Sequence, residues 1–185
     1  LIFDVGKTNK KVLLFDENYN VVHEEASVFP ETTDEDGYPC EDIHRLKSWV
    51  TEKYLDFIND ERFSIRAVHI SAYGASMVYL DEELREIPPL YNYLKPFPED
   101  LSVRFYAAYG GVSVLCRETA SPQLGSLNSG LQLYRIKYAL PDKFARIRYA
   151  LHLPQYLSFI LRGKVFSEIT SIGCHTHLWD YSANN

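Results

Sequence analysis

This chain of 185 residues has few cysteines, no excess of positive charge and no long apolar run, and each shortage removes a class of protein. Cys40, Cys116 and Cys174 are odd in number and widely spaced. They read as reduced thiols of a cytoplasmic protein and not as a disulfide framework. Nineteen Lys and Arg stand against 25 Asp and Glu, a net charge of -6. Such a balance lacks the basic face of a nucleic-acid binder, so no nucleic acid is expected as a partner. No apolar stretch approaches the roughly 18–20 residues of a membrane span, and no charged-then-apolar leader is present, so no membrane is expected either. A Gly-x-x-x-x-Gly-Lys-Ser/Thr run is missing, which argues against a P-loop nucleotidase. No internal repeat or low-complexity tract is visible.

What remains is an ordinary globular composition, 46% hydrophobic and 24% charged, in a chain large enough for one domain with a real core. Leu1-Ile2-Phe3-Asp4-Val5 is a short apolar run stopped by Gly6, and predicts a buried strand and a turn. Val12–Phe15 predicts a second strand, Asp16–Asn20 a polar hairpin turn, and Asn20–Val28 a third strand. Three strands joined by tight turns make an antiparallel meander. From Asp42 onward Ile43, Leu46, Trp49, Val50, Tyr54, Phe57 and Ile58 recur at three- and four-residue spacing, which predicts an amphipathic helix. Residues 67–71 and 77–80 predict two more strands around a small-residue turn. Four prolines between Pro88 and Pro98 exclude regular helix there. Helical character returns at 100–109, 129–138 and 153–161, the last opening at Pro154 and stopping before Gly163. The order βββαβ followed by helices predicts a mixed α/β sheet.

Four segments carry residues suited to chemistry. In Asp4-Val5-Gly6-Lys7-Thr8-Asn9-Lys10-Lys11, the glycine allows a tight turn whose N–H groups and Thr8 hydroxyl can cradle an anion. Asp4 at the strand end suits a hydrated Mg²⁺, and Lys7, Lys10 and Lys11 would add local positive charge. A plain hairpin with a solvated basic turn explains the same residues. Ser71–Ser76 combines Tyr73 with Gly74 and Ala75, so a ligand could approach the backbone closely; a strand-to-strand turn with Tyr73 packed outward is the alternative. Around Thr119–Gln132, Asn128 or Ser129 is expected to cap the following helix with its side-chain oxygen, with polar atoms left over for a ligand hydroxyl. Cys174, His175 and His177 invite a metal reading, but structural zinc sites pair ligands from two separated places. Cys174 as a nucleophile is disfavoured on the expectation that the adjacent His175 does not face it.

Taken together these segments resemble the FGGY carbohydrate kinase family, within the actin/Hsp70/sugar-kinase superfamily, over essentially the whole chain. Asp4-Val5-Gly6-Lys7-Thr8-Asn9 is similar to the family's first phosphate motif, with Lys7 replacing a small hydroxyl residue. Ser71–Ala75 falls at its sugar-contacting turn, and Thr119–Pro122 with Asn128–Gly130 at a segment lining the sugar pocket. Leu153-Pro154-Gln155-Tyr156-Leu157 through Gly163, Glu168–Ser171 and Leu178-Trp179-Asp180 follow the family's next stretches.

The resemblance implies a ribonuclease-H-like (actin-like ATPase) domain, α/β, with a β-meander start and flanking helices. ATP and Mg²⁺ are the implied cofactors, and a sugar, a ketose such as rhamnulose, fuculose or xylulose, the implied substrate. Gly6, Lys7, Thr8, Asn9 and Lys11 would bind ATP phosphates, Asp4 would hold Mg²⁺ through water, and Tyr73, Gly74, Ala75 and Asn128 would contact the sugar. The catalytic base, an Asp in the family, is expected beyond Asn185, so neither Asp81 nor Asp180 takes that role. Residues 1–185 are expected to be the N-terminal half of a longer chain, cut at both ends and inactive alone, without the second, ATP-binding domain. A non-catalytic sugar- or phosphate-binding module is the competing reading, and a homodimer is left open.

Overall fold

A computed structural model describes residues 1–185. The meander is present as β1 (Ile2–Val5), β2 (Asn9–Phe15) and β3 (Val21–Val28), which pair antiparallel. A later strand, β6 (His69–Ala72), lies parallel to β1, which makes a mixed sheet of order β3-β2-β1-β6. Two two-residue strands, β4 (Thr32–Thr33) and β5 (Pro39–Cys40), pair within the acidic loop.

Alternation decides which face of this sheet is buried. Phe3 and Val5 on β1, with Lys10, Val12 and Leu14 on β2, are buried, whereas Asp4 and Asn9 are exposed and Lys11 and Leu13 half-buried. The inner face packs on α1 (Ile43–Ile58), whose first N–H groups are capped by the Asp42 carboxylate at 2.9 and 3.1 Å. Leu46 and Val50 of α1 are fully buried, and Phe3 meets Trp49 edge-on at 5.8 Å. α6 (Leu153–Arg162) joins the same core through Leu153, Tyr156 and Leu157. Pro154 sits in its first turn and Gly163 ends it at φ 66°, a left-handed cap that glycine adopts without strain. Burying each large side chain in this cluster contributes about 1.5–3 kcal/mol.

Several elements depart from expectation. β2 begins at Asn9, so Asn9, Lys10 and Lys11 belong to the strand and not to the turn before it. β7 (Met77–Leu80) does not neighbour β6; it pairs with β8 (Tyr149–His152), a strand hidden in a short run before a helix. The helices α2 (Glu99–Ala108) and α4 (Ser129–Ala139) match the periodicity. Three shorter ones, α3 (Val112–Glu118), α5 (Pro141–Arg146) and α7 (Ile169–Ile172), are too brief to show a period.

Candidate active site

β1 and β6 run parallel with Val5 opposite Ala72, so the chain leaves both strands at the same end of the sheet. The turn holding Gly6 and the turn holding Tyr73 and Gly74 therefore lie side by side. Ligands of open α/β sheets collect at the carboxyl ends of parallel strands. Gly6 is needed for close approach: its N–H donates to the Asn9 carbonyl at 2.9 Å, and a Cβ there would meet that oxygen at 2.9 Å. Thr8 and Asn9 are exposed on this turn.

Asp4 projects from the outer face, in register with Lys11 and Ser71. It is exposed, and its carboxylate has no hydrogen bond or ion pair. The expected excess of positive charge around it is absent, and this corrects the sequence reading. Lys7 Nζ contacts Glu31 at 2.5 Å, Lys11 Nζ contacts Glu24 at 2.8 Å, and Lys10 Nζ contacts Glu41 at 2.5 Å. Three lysines meet three acids, so an anion here must rely on backbone N–H groups or draw Lys7 or Lys11 from its partner. Lys10 cannot swing out, being only 2% exposed. A free carboxylate beside a backbone turn does fit a hydrated divalent ion bound with phosphates.

The second turn splits between solvent and core. Gly74 is exposed, whereas Ala75 is 8% exposed and its carbonyl accepts from Gln132 Nε2 at 2.8 Å. Tyr73 is half-buried, with its hydroxyl donating to Glu41 Oε2 at 2.5 Å and its ring 5.8 Å from Tyr93. Burial, reinforced by the Glu41 charge, pushes the Tyr73 hydroxyl far above the ordinary tyrosine range.

Beside this turn a cleft of about 540 Å³ follows the free edge of β6, between Ser71 and Gly74 on one side and Gln155, Glu168 and His175 on the other. Gln155 is 7% exposed, donates from Nε2 to Glu168 at 3.0 Å, and leaves its Oε1 without a partner. A buried acceptor left unsatisfied is costly, and a hydroxyl-bearing ligand would relieve it. An apolar cleft of about 280 Å³ among Phe105, Tyr109, Tyr134 and Phe144 holds no carboxylate and lies on other elements.

Asn128 occupies the cap position of α4, but its side chain makes no cap bond, contrary to expectation. Oδ1 accepts from Leu124 N–H at 2.7 Å, and Nδ2 donates to the carbonyls of Pro122 and His175 at 3.0 and 2.7 Å. Fully buried, it ties the α4 start to the turn that carries His175 into the cleft. Adjacent His175 does face Cys174: positive φ at His175 brings Nδ1 to 3.0 Å from the sulfur. His177 points elsewhere, buried between Thr119 and Tyr106 at 2.9 and 3.1 Å, so the three do not converge on one point. Burial drives His177 down to about 4, and does the same to His152, which contacts Ser129 Oγ at 2.9 Å.

Sequence reasoning missed Glu41 and the inward position of Lys10. The signal for Lys10 was present, because it shares the parity of Val12 and Leu14 along β2, and a lysine on a core face demands an acid.

Residues 1–182 match the model described as the FGGY family of carbohydrate kinases, N-terminal domain. A rhamnulokinase from Oceanobacillus iheyensis is 24% identical over 188 aligned positions, covering 97% of this chain and 39% of that protein. Among solved structures, a carbohydrate kinase from Novosphingobium aromaticivorans superposes with a TM-score of 0.81 at 24% identity, covering 98% of this chain and 38% of the other. A xylulose kinase from Lactobacillus acidophilus gives 0.83 at 20% identity, covering 100% and 38%. The chain thus spans about two fifths of the length of these relatives.

Proposed function

Because the chain belongs to the FGGY family of carbohydrate kinases, we propose that it is the sugar-binding part of a kinase that phosphorylates a ketose from ATP. The observation that supports this most directly is the pairing of two turns at one sheet end, with the unpaired Asp4 carboxylate beside them. In this reading the Gly6–Asn9 backbone receives the phosphates and Asp4 holds Mg²⁺ through water. The metal would neutralise charge that builds on the transferring phosphoryl group. Lys7 and Lys11 exchange Glu31 and Glu24 for phosphate oxygens. Tyr73 and Gly74 shape the sugar end of the crevice, and Gln155 Oε1 accepts from a sugar hydroxyl in the adjoining cleft. Asn128 acts at one remove, by holding His175 in the cleft wall.

Nothing in this arrangement offers a carboxylate base aimed at the sugar. The only acid in the cleft is Glu168, whose oxygens accept from Gln155, Thr170 N–H and the Thr170 hydroxyl. The base would come from another part of the intact kinase, so residues 1–185 alone should show no sugar phosphorylation.

The test is a coupled assay of the intact kinase across a panel of ketoses, including rhamnulose, fuculose and xylulose. Asp4→Ala should lower kcat about a hundredfold or more, in line with the loss of one electrostatic contact to the transition state. Unchanged kinetics for that variant would remove the role assigned to Asp4. Sugar binding with no turnover on any ketose would make the protein a binding module instead.

A further inference from the structure

Glu41 is the only acid that reaches both ligand-facing turns, through different oxygens. Oε1 lies 2.5 Å from Lys10 Nζ, and Lys10 in turn donates to the Lys7 carbonyl at 3.0 Å, inside the glycine turn. Oε2 accepts from the Tyr73 hydroxyl at 2.5 Å, at the other turn. Glu41 is itself fixed, bridging backbone-to-backbone with Leu90 and directly preceding the Asp42 cap of α1. Lys10 is 2% exposed and Glu41 5%, and Phe29 lies over the ammonium at 5.5 Å.

A buried ion pair is a poor way to gain stability, since desolvation consumes most of the attraction and an apolar pair would serve as well. This one links two sites, which an apolar pair could not do. We propose that Glu41 is a positioning residue that couples the two turns, so that a phosphate in the Gly6 turn raises affinity for the sugar at Tyr73, and the reverse. The inference rests on the assignment of those turns to phosphate and sugar. A phosphate drawn onto the Gly6–Asn9 backbone shifts the Lys7 carbonyl, Lys10 follows it, and Glu41 transmits the shift to the Tyr73 hydroxyl. Tyr73 stays protonated throughout, because burial holds its hydroxyl far above neutrality, so the bond always runs from Tyr73 to Glu41.

Coupling of this kind is reciprocal and measurable as a ratio of affinities. In the intact kinase, the sugar dissociation constant is measured by calorimetry with and without a non-hydrolysable ATP analogue. The expected ratio for the native protein is about fivefold or larger. The paired variant Lys10→Met with Glu41→Leu removes the link and leaves no buried charge, and its ratio should fall below about twofold. A role in packing alone would lower both affinities or the melting temperature and leave the ratio standing. If the paired variant does not fold, Tyr73→Phe breaks the same link by deleting one hydroxyl, and the same fall is expected. A native ratio of one, or a native-sized ratio in the variant that folds, overturns the coupling. In either case measured sugar and nucleotide binding would leave the functional reading intact, whereas failure to bind either ligand would sink that reading instead.

Discussion

The two faces of the four-stranded sheet are made from the same strands and do opposite work. Phe3, Val5, Val12 and Leu14 point inward and are at most 5% exposed, packed in one core with Leu46, Val50 and Tyr156. Ile2, Asp4, Lys11 and Leu13 alternate with them and point outward, exposed or half-buried. Stability is concentrated on the inner face, and the unpaired acid sits on the outer one. Lys10 is the exception that ties them together: it takes an inward position, yet its ammonium donates to the Lys7 carbonyl in the Gly6 turn.

The largest effect should come from the inner face. Leu14→Ala removes a side chain that is 5% exposed on the inner face of β2 and should cost about 2–5 kcal/mol, depending on how far the site collapses. Leu13→Ala, on the outer face of the same strand, should cost far less. Urea denaturation of both variants compares the faces directly. Equal losses would break the distinction and show that the outer face is covered in the protein measured.

The next effect tests burial itself, away from the sheet. His152 and His177 are both driven down to about 4 by burial, with the charge of Glu168 opposing the shift at His152. Unfolded histidine titrates near 6.5, so the unfolded chain takes up protons first as pH falls. Full stability is present above pH 6.5 and is lost between 6.5 and 4, at a limiting slope of about 1.4 kcal/mol per unit for each group. His177→Gln should lose less stability between pH 7 and 4.5 than the native chain does, by urea midpoint. Matching losses would show that His177 gains its proton without penalty.

The difference between the faces also explains what the sequence made visible. Short runs bounded by Gly6 and the Asp16–Asn20 turn gave β1 through β3, three- and four-residue spacing gave α1, and Pro154 with Gly163 bounded α6, and these elements share a single core. β8 was hidden because four residues cannot establish a period, and its partner β7 lies 69 or more positions earlier along the register. β6 and β7 follow one another around a small-residue turn yet belong to different sheets, because β7 pairs with β8. At the site, Asp4, Gly6 and Gly74 were legible as a strand end and two glycine turns. Glu41 was not, because its partners Lys10 and Tyr73 lie 31 and 32 residues away and only the fold brings them together. Asn128 looked like a cap by local chemistry, but Oδ1, the atom a cap would use, accepts from Leu124 N–H instead, while Nδ2 donates to the carbonyls of Pro122 and His175.

The smallest change to stability, and the sharpest separation of the faces, should come from Lys11. Its ion pair with Glu24 is well exposed on both sides, at 39% and 46% of side-chain area, and water and salt screen such pairs almost completely. Lys11→Gln should therefore leave the urea midpoint within replicate error. In the proposed function, however, the same ammonium, next to Asp4 across the β1–β2 register, leaves Glu24 for a phosphate oxygen. A charge-assisted contact of that kind is lost with the charge, so KM for ATP in the intact kinase should rise about tenfold while kcat changes less. Raising salt should weaken nucleotide binding by the native protein more than by the variant. A Lys11→Gln enzyme with native KM and native salt dependence would show that the pair with Glu24 is all that Lys11 does, and would confine the outer face's role to Asp4.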